Sequence, residues 1–271
     1  ERPFWCLTKT KHQMPLRFLS SWFCPFAQRT HIGLEHLKLR YEYVEALGWF
    51  EKDGEYHHFK TDELAASNPM GTIPTLIDQS GRTTYESLVC LEYLDDLACM
   101  REGSSSGSGK APRLLSLDPF ERAKQRVDAA HVNQRLCSPY YDILVRRGKG
   151  ERRAHFQSLL EALRELSGRM GEGPFIGGDD MSLVDCTLLP HSYRYYVLEH
   201  FRGPEFKIPT TPEYARFHEW LAHMETVPAV RATLPDKTRY LQHVEKYAND
   251  KARSIVAEAV RAGKPAHEMA L

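Results

Sequence analysis

The sequence predicts an α/β domain followed by an all-α domain, and three observations carry that prediction. Short apolar runs alternate with helical patterns over residues 14–99, and from residue 118 onward the periodicity is helical throughout. Between them lies MREGSSSGSGKAPR, a Ser- and Gly-rich stretch that cannot bury enough apolar surface to order itself. The expected division is 14–99, a linker at 100–117, and a helical domain at 118–271.

In chain order, LRFLSS at 16–21 has strand composition and runs into a helix whose inward face is Phe26, Thr30, Gly33, Leu34 and Leu37. RYEYVEA supplies a second strand and completes a β-α-β unit. LGWFEKDGEYHHF, at 47–59, is polar and aromatic without a clean period, so it is expected to be a long loop leading to a short helix near 60–67. IPTLIDQSGRTTYE reads as two strands around a glycine-containing turn, and SLVCLEYLDDLAC at 87–99 as a closing helix. The order β-α-β-α-β-β-α is that of a thioredoxin-like domain.

Past the linker, Asp118, Pro119 and Glu121 fit the N-cap, first and third positions of a helix. Phe156, Leu159, Leu160, Leu163, Leu166 and Met170 form one apolar stripe, and Tyr214, Phe217, Leu221 and Met224 another, both read as core. Ser182 and Asp185 have capping-box spacing ahead of a helix expected to kink at Pro190. A last helix is expected between Asn249 and Ala262, stopped by Gly263 and Pro265.

With 271 residues the chain can bury a sizeable core. Its 36 basic and 36 acidic residues cancel, so no global field draws it to nucleic acid or an anionic membrane. No apolar run reaches the roughly eighteen residues of a membrane span. The six cysteines, at 6, 24, 90, 99, 137 and 186, form no C-x-x-C pair, which points to reduced thiols and a cytoplasmic location rather than a disulfide framework. Cys90, Cys99, Cys137 and Cys186 lie in helical patterns and read as packing. No metal is expected, because the side chains of His57 and His58 diverge with no further ligand at metal spacing, and the pair reads as solvated loop.

Cys24 is the residue that raises a chemical question. It sits where a strand ends and a helix begins, and Pro25 suits the first helical position, where a missing N–H costs nothing. Taken alone, a single cysteine is equally well read as a small buried hydrophobe. The helix end, however, would favour its thiolate, giving a nucleophile ionised below the ordinary thiol range. Pro74 precedes a strand, where a cis bond would present the backbone of Ile73 to an extended peptide. Glu86 and Ser87 stand at a helix start, able to take an ammonium and a carboxylate. Together these describe a thiolate, a peptide edge and an amino-acid clamp.

CPFAQR, NPMGTIPTL and YESLVCLEYLDD resemble the glutathione-binding domain of the omega-class, cysteine-type glutathione transferases, and MSLVDCTLLP is similar to the capped helix of that family's second domain. The likeness spans roughly residues 16–245. It implies the glutathione transferase fold, glutathione as co-substrate and a homodimer. It also implies a mixed disulfide between Cys24 and glutathione, with Phe26 beside the sulfur, Ile73 and Pro74 on the cysteinyl backbone, Glu86 and Ser87 at the γ-glutamyl end and Lys60 at the glycyl carboxylate. Trp22, Tyr140, Tyr141, Arg194 and Tyr195 become candidates for the pocket of the second substrate, with ordinary core as the alternative for each. The chain departs from the family pattern in a longer 47–59 stretch, a longer linker and an extended helix after Tyr240.

A cysteine at this position implies redox work. A Tyr or Ser hydroxyl assists a glutathione thiolate, whereas a cysteine attacks a glutathionyl sulfur itself. Ala27 stands where a dithiol glutaredoxin carries its second cysteine, so the cycle is monothiol. The expected function is glutathione-dependent thiol transfer to small-molecule or protein thiol and disulfide acceptors, including deglutathionylation and dehydroascorbate reduction. The alternative is a protein that uses glutathione and the cleft to sequester apolar metabolites. A third reading follows from the similar C-P-F-S-Q-R of intracellular chloride channel proteins, but it needs a membrane-competent first helix. Arg29, Lys38 and Arg40 load that segment with charge, at about 2.5 to 3.5 kcal/mol each at mid-bilayer.

Overall fold

The computed structural model describes residues 15–53, 55–102 and 112–267. Cys6 and the Gly/Ser-rich heart of the expected linker, 103–111, lie outside the described residues. The first domain is built on strand β1 (Leu16–Ser20), helix α1 (Pro25–His36), β2 (Tyr41–Glu45), β3 (Leu47–Lys52), β4 (Glu55–Lys60), α2 (Asp62–Ser67), β5 (Thr75–Ile77), β6 (Thr83–Tyr85) and α3 (Ser87–Glu102). The main sheet has the order β2-β1-β5-β6. Strand β1 pairs in parallel with β2, Leu16 opposite Tyr41, and antiparallel with β5, Arg17 opposite Ile77. The parallel pair needs a crossover, and α1 supplies it. Its Ala27, Thr30, Gly33 and Leu34 are buried.

The stretch 47–59 is not the loop expected from its composition. It forms most of a separate antiparallel ribbon, β3 with β4, in which Trp49 faces His58 and Phe50 faces His57. Lys60 accordingly ends a strand, and the helix that follows starts at Asp62, capped by the Thr61 hydroxyl accepting from the Leu64 amide at 3.2 Å. The dipeptide Asp53-Gly54 in the middle of the stretch is a hairpin signal in the sequence that composition alone obscures. Asp53 adopts the left-handed conformation, φ 54°. A Cβ at Gly48 would fall 2.2 Å from the Phe59 ring across the ribbon, so that ring would have to move aside.

The second domain comprises α4 (Pro119–Val132), a five-residue π-helical turn (Asn133–Cys137), α5 (Ser138–Val145), α6 (Lys149–Arg169), α7 (Leu183–Ser192), α8 (Tyr196–Arg202), α9 (Ala215–Met224), α10 (Pro228–Arg231), α11 (Lys237–Ala248) and α12 (Ile255–Arg261). Asp118 caps α4 through the Phe120 and Glu121 amides, as its spacing predicts. Ser182 and Asp185 form a reciprocal capping box on α7, and Pro190 sits inside that helix. Asp185 is fully buried and also accepts from the Ile176 amide at 2.9 Å and from Trp220 Nε1 at 2.8 Å. The terminal helix is shorter than expected, beginning at Ile255 after an Asp250 in the left-handed conformation at φ 62°.

The two domains share one hydrophobic core, with Leu114 and Leu115 of the expected linker buried in it. Two motif residues join the domains across α1. Buried Gln28 donates to the Thr233 carbonyl at 3.1 Å. Buried Arg29 donates to the Thr187 carbonyl at 3.0 Å, to Asn133 Oδ1 at 2.7 Å and to Ser87 Oγ at 3.1 Å. No helix among the described residues is long and apolar enough to cross a membrane.

Candidate active site

Strand β1 ends at Ser20, and the chain turns through Ser21–Phe23 to place Cys24 as the N-cap of α1. Its amide donates to the Ser21 carbonyl at 3.2 Å, and its own carbonyl accepts from the Gln28 amide at 3.0 Å. The sulfur accepts from the Ala27 amide at 3.5 Å, so one of the unpaired N–H groups of the helix start points at it.

The expected lowering of the Cys24 thiol is not what this packing produces. Burial pushes the thiol up, and it outweighs the amides of Ala27 and Phe26 and the positive charges of Arg194 and Arg29, all of which favour the thiolate. A sequence shows the helix end but not how many side chains close over the sulfur.

Cys24 opens into a cavity of about 370 Å³ whose lining also includes Phe26, Lys60, Ile73, Pro74, Glu86 and Ser87. All seven residues assigned to the glutathione side by resemblance thus border one space. The Ile73–Pro74 peptide is cis. Its loop is braced by buried Asn68, whose Nδ2 donates to the Thr72 carbonyl at 3.0 Å and to Thr75 Oγ1 at 3.1 Å. Lys60 lies over Gly71, where a Cβ would stand 2.7 Å from its Nζ. Glu86 holds a left-handed backbone, φ 71°, uncommon for a residue with a side chain and found most often where a site demands it. Burial pushes its carboxyl up from the ordinary range.

The acceptor side differs from expectation. Of Trp22, Tyr140, Tyr141, Arg194 and Tyr195, only Tyr141 lines this cavity. Trp22 lines a larger space of about 860 Å³ behind the Cys24 turn, with the Arg239 guanidinium 3.9 Å over its ring. Tyr140 is fully buried, its hydroxyl 3.4 Å from that of Tyr240. Arg194 is sealed behind Tyr240, whose ring it covers at 4.6 Å, and donates to Gln28 Oε1 at 2.5 Å and the Pro190 carbonyl at 2.6 Å. Tyr195 is core, its hydroxyl donating at 2.9 Å to the Leu136 carbonyl in the π-helical turn. Each of these four side chains finds a partner inside the protein, which turns it away from the cavity.

The wall facing Cys24 comes from further along the chain. Tyr240, Val244 and Tyr247 of α11, with Arg253, Ile255 and Val256, line the cavity. Tyr240, Val244 and Tyr247 recur at helical spacing, a signal present in the sequence. His58, expected in solvated loop, also lines the cavity. Its Nε2 is buried and has no hydrogen-bond partner among the described residues, and burial holds its pKa below the ordinary range. His57 instead stacks on Phe50 at 5.5 Å on the exposed side of the ribbon.

A polar seam ties the ribbon to α11. Trp49 Nε1 donates to His243 Nδ1 at 2.5 Å, and that same nitrogen accepts from Lys246 Nζ at 3.1 Å. His243 must therefore be neutral, with its proton on Nε2, and burial holds it in that state. Its ring stacks at 3.9 Å on Phe23, the neighbour of Cys24. Lys246 is buried with no carboxylate partner among the described residues, its amine 3.7 Å over the Trp49 ring. Burial lowers it to about 7.

This architecture has relatives among known proteins. Residues 23–97 match the family described as glutathione S-transferase, N-terminal domain, and residues 149–223 the one described as glutathione S-transferase, C-terminal domain. The chain is 31% identical over 228 residues to a probable glutathione S-transferase, GSTU6, of Oryza sativa subsp. japonica, covering 82% of this chain and 89% of that protein. It superposes on glutathione transferase Omega 3C of Trametes versicolor with a TM-score of 0.71 at 28% identity, over 90% of this chain and 95% of that one. A rice glutathione transferase solved in complex with glutathione also gives 0.71, at 26% identity, over 88% and 98% of the two chains.

Proposed function

The chain belongs to the glutathione S-transferase family, and we propose that within it the protein works as a glutathione-dependent thiol transferase through a mixed disulfide on Cys24. The observation that carries this reading is the N-cap cysteine bordering one cavity with Lys60, Ile73, Pro74, Glu86 and Ser87. Glutathione would lie along the Ile73–Pro74 backbone, its γ-glutamyl end at Glu86 and Ser87 and its glycyl carboxylate at Lys60. The Cys24 thiolate attacks the glutathionyl sulfur of a mixed disulfide, the old S–S bond breaks, and the acceptor thiolate leaves with the electron pair. A second glutathione thiolate then attacks the Cys24-bound sulfur, releasing glutathione disulfide and the free cysteine. Dehydroascorbate reduction would draw its electrons from the same two glutathiones. With Ala27 in place of a second thiol, no internal disulfide intervenes.

Turnover of a glutathione mixed disulfide, dehydroascorbate and an aromatic electrophile, measured side by side, tests the reading. Cys24→Ser should drop thiol transfer to the uncatalysed background while glutathione binding persists; full turnover in that variant would overturn the proposal. The raised Cys24 thiol and the aromatic wall favour a second reading, sequestration of apolar ligands with glutathione as the fixed partner. That reading predicts tight ligand binding with no turnover in the parent protein. The family resemblance also supports pairing with a second copy, and light scattering at micromolar concentration reading the 31.2 kDa of one chain would remove it.

A further inference from the structure

We infer that the acceptor taken by this site is an aromatic thiol compound carrying an acidic group, selected by Arg253. The inference rests on the thiol-transfer reading above and deepens it. Three observations carry it.

The space beside Cys24 is shaped for a flat, apolar body. Phe26 and Tyr141 stack at 6.2 Å with planes 5° apart, and Tyr240, Tyr247, Ile255 and Val256 complete the lining. Parallel rings with aliphatic groups around them favour an aryl substituent over a hydrated one.

The acceptor side of the cavity carries a cation of its own. Glu86 and Lys60 are assigned to the ends of the tripeptide, and burial holds His58 and His243 toward their neutral forms. Arg253 lines the aromatic side, close enough to Asp250 to feel its charge. Its side chain is exposed, and its one hydrogen bond among the described residues is a 3.3 Å donation to the Asp250 carbonyl. The Asp250 carboxylate is itself taken by Arg147 and by Arg261, the latter at 2.6 Å. Most of the Arg253 donors are therefore free to fork onto a carboxylate or sulfonate. Behind the wall, buried Arg29 and Arg194 have no carboxylate partner among the described residues and add positive potential.

The third observation is where this arginine sits. Arg253, Ile255 and Val256 follow α11 and lie beyond the 149–223 span matched by the family, in a segment that closes over the cavity. An acid preference from Arg253 would thus be set by this closing segment rather than by the matched span.

In the reaction the Cys24 thiolate attacks the glutathionyl sulfur of an aryl–glutathione mixed disulfide, and the aryl thiolate departs with the electron pair. Its carboxylate stays on Arg253 while glutathione regenerates Cys24. Arg253 acts by positioning and takes no part in bond making.

The test uses the full chain and two probes, the mixed disulfides of glutathione with 4-mercaptobenzoate and with 4-methylbenzenethiol. The parent protein should show kcat/KM about tenfold higher for the acidic probe, as expected of one charge-assisted contact, with the gap narrowing at high salt. Arg253→Gln should erase that preference by slowing only the acidic probe, Arg253→Glu should reverse it, and Arg253→Lys should restore part of it. The KM for glutathione should be unchanged in all three. Equal kcat/KM for both probes in the parent overturns the inference and leaves thiol transfer standing. So does an Arg253→Gln variant that slows both probes equally with a raised KM for glutathione, since the arginine then serves the tripeptide. Absence of turnover with either probe in the parent sinks the thiol-transfer reading, and this inference with it.

Discussion

The cavity has two unlike walls. One, from the first domain, is made of element ends: the N-cap of α1, the last residue of β4, the turn before β5 and the start of α3, carrying Cys24, Lys60, Ile73–Pro74 and Glu86–Ser87. The other is made of side-chain bodies projecting from α5, α11 and the segment at α12, chiefly Tyr141, Tyr240, Tyr247 and Val256. The first wall offers polar groups at positions set by backbone geometry, suited to a ligand that never changes. The second offers apolar surface with one cation at its rim, and it can be remodelled by exchanging side chains without disturbing a cap or a strand. The proposed division between glutathione and a variable acceptor would use that difference.

Arg29 is where the walls are joined, and breaking it should produce the largest effect. Arg29→Ala removes donors to the Ser87 hydroxyl, the Asn133 amide oxygen and the Thr187 carbonyl and leaves a void, so unfolding by denaturant should show a loss of about 3 kcal/mol. Unchanged stability would mean the walls are held together elsewhere.

Within the first wall, the two ends of the tripeptide should differ. Glu86→Ala should weaken glutathione binding by about 1.5 to 3 kcal/mol, because in the proposed pose the half-buried carboxylate would make a charge-assisted contact. Lys60→Ala should cost about 1 kcal/mol, as its amine is partly solvated. Calorimetry giving unchanged affinity in both variants would show that glutathione does not use this wall.

The seam between ribbon and α11 should reveal itself through pH. The Lys246 amine is lowered to about 7 in the folded protein but titrates near its ordinary value when unfolded. Between those values the unfolded chain binds a proton that the folded one does not, so stability rises with pH there; below about pH 7 both forms are protonated and the full cost of burying the charge is present. The slope should be at most about 1.4 kcal/mol per pH unit, and Lys246→Met should flatten it while stabilising the protein most at pH 6. A variant with the parent's slope would assign the dependence to other groups.

These contrasts explain what could be read before the fold was known. A cap, a cis-proline loop, a turn or a helix start is specified within a few residues, so Cys24, Pro74, Glu86, Asp118 and the Ser182–Asp185 box were legible as short strings. The ribbon at 47–60 is hard to read from sequence because both its faces mix rings with charges, which hides the two-residue period, although Asp53-Gly54 is a hairpin dipeptide. For Arg194 and Tyr195 the sequence leaves pocket and core open, and the structure gives core. Their position near the cleft follows from the fold, but whether such a side chain reaches the cavity depends on partners far away in sequence.

The two-domain order and the ends of most elements were set by local backbone preferences and short-range hydrogen bonds, and the resemblance of short motifs picked out seven residues that border one cavity. Only the tertiary structure decided that Tyr240, Tyr247 and Arg253 face Cys24 while Arg194 is sealed behind them. It also decided that burial raises the Cys24 thiol against the pull of its helix, since desolvation depends on how many distant side chains close over the sulfur.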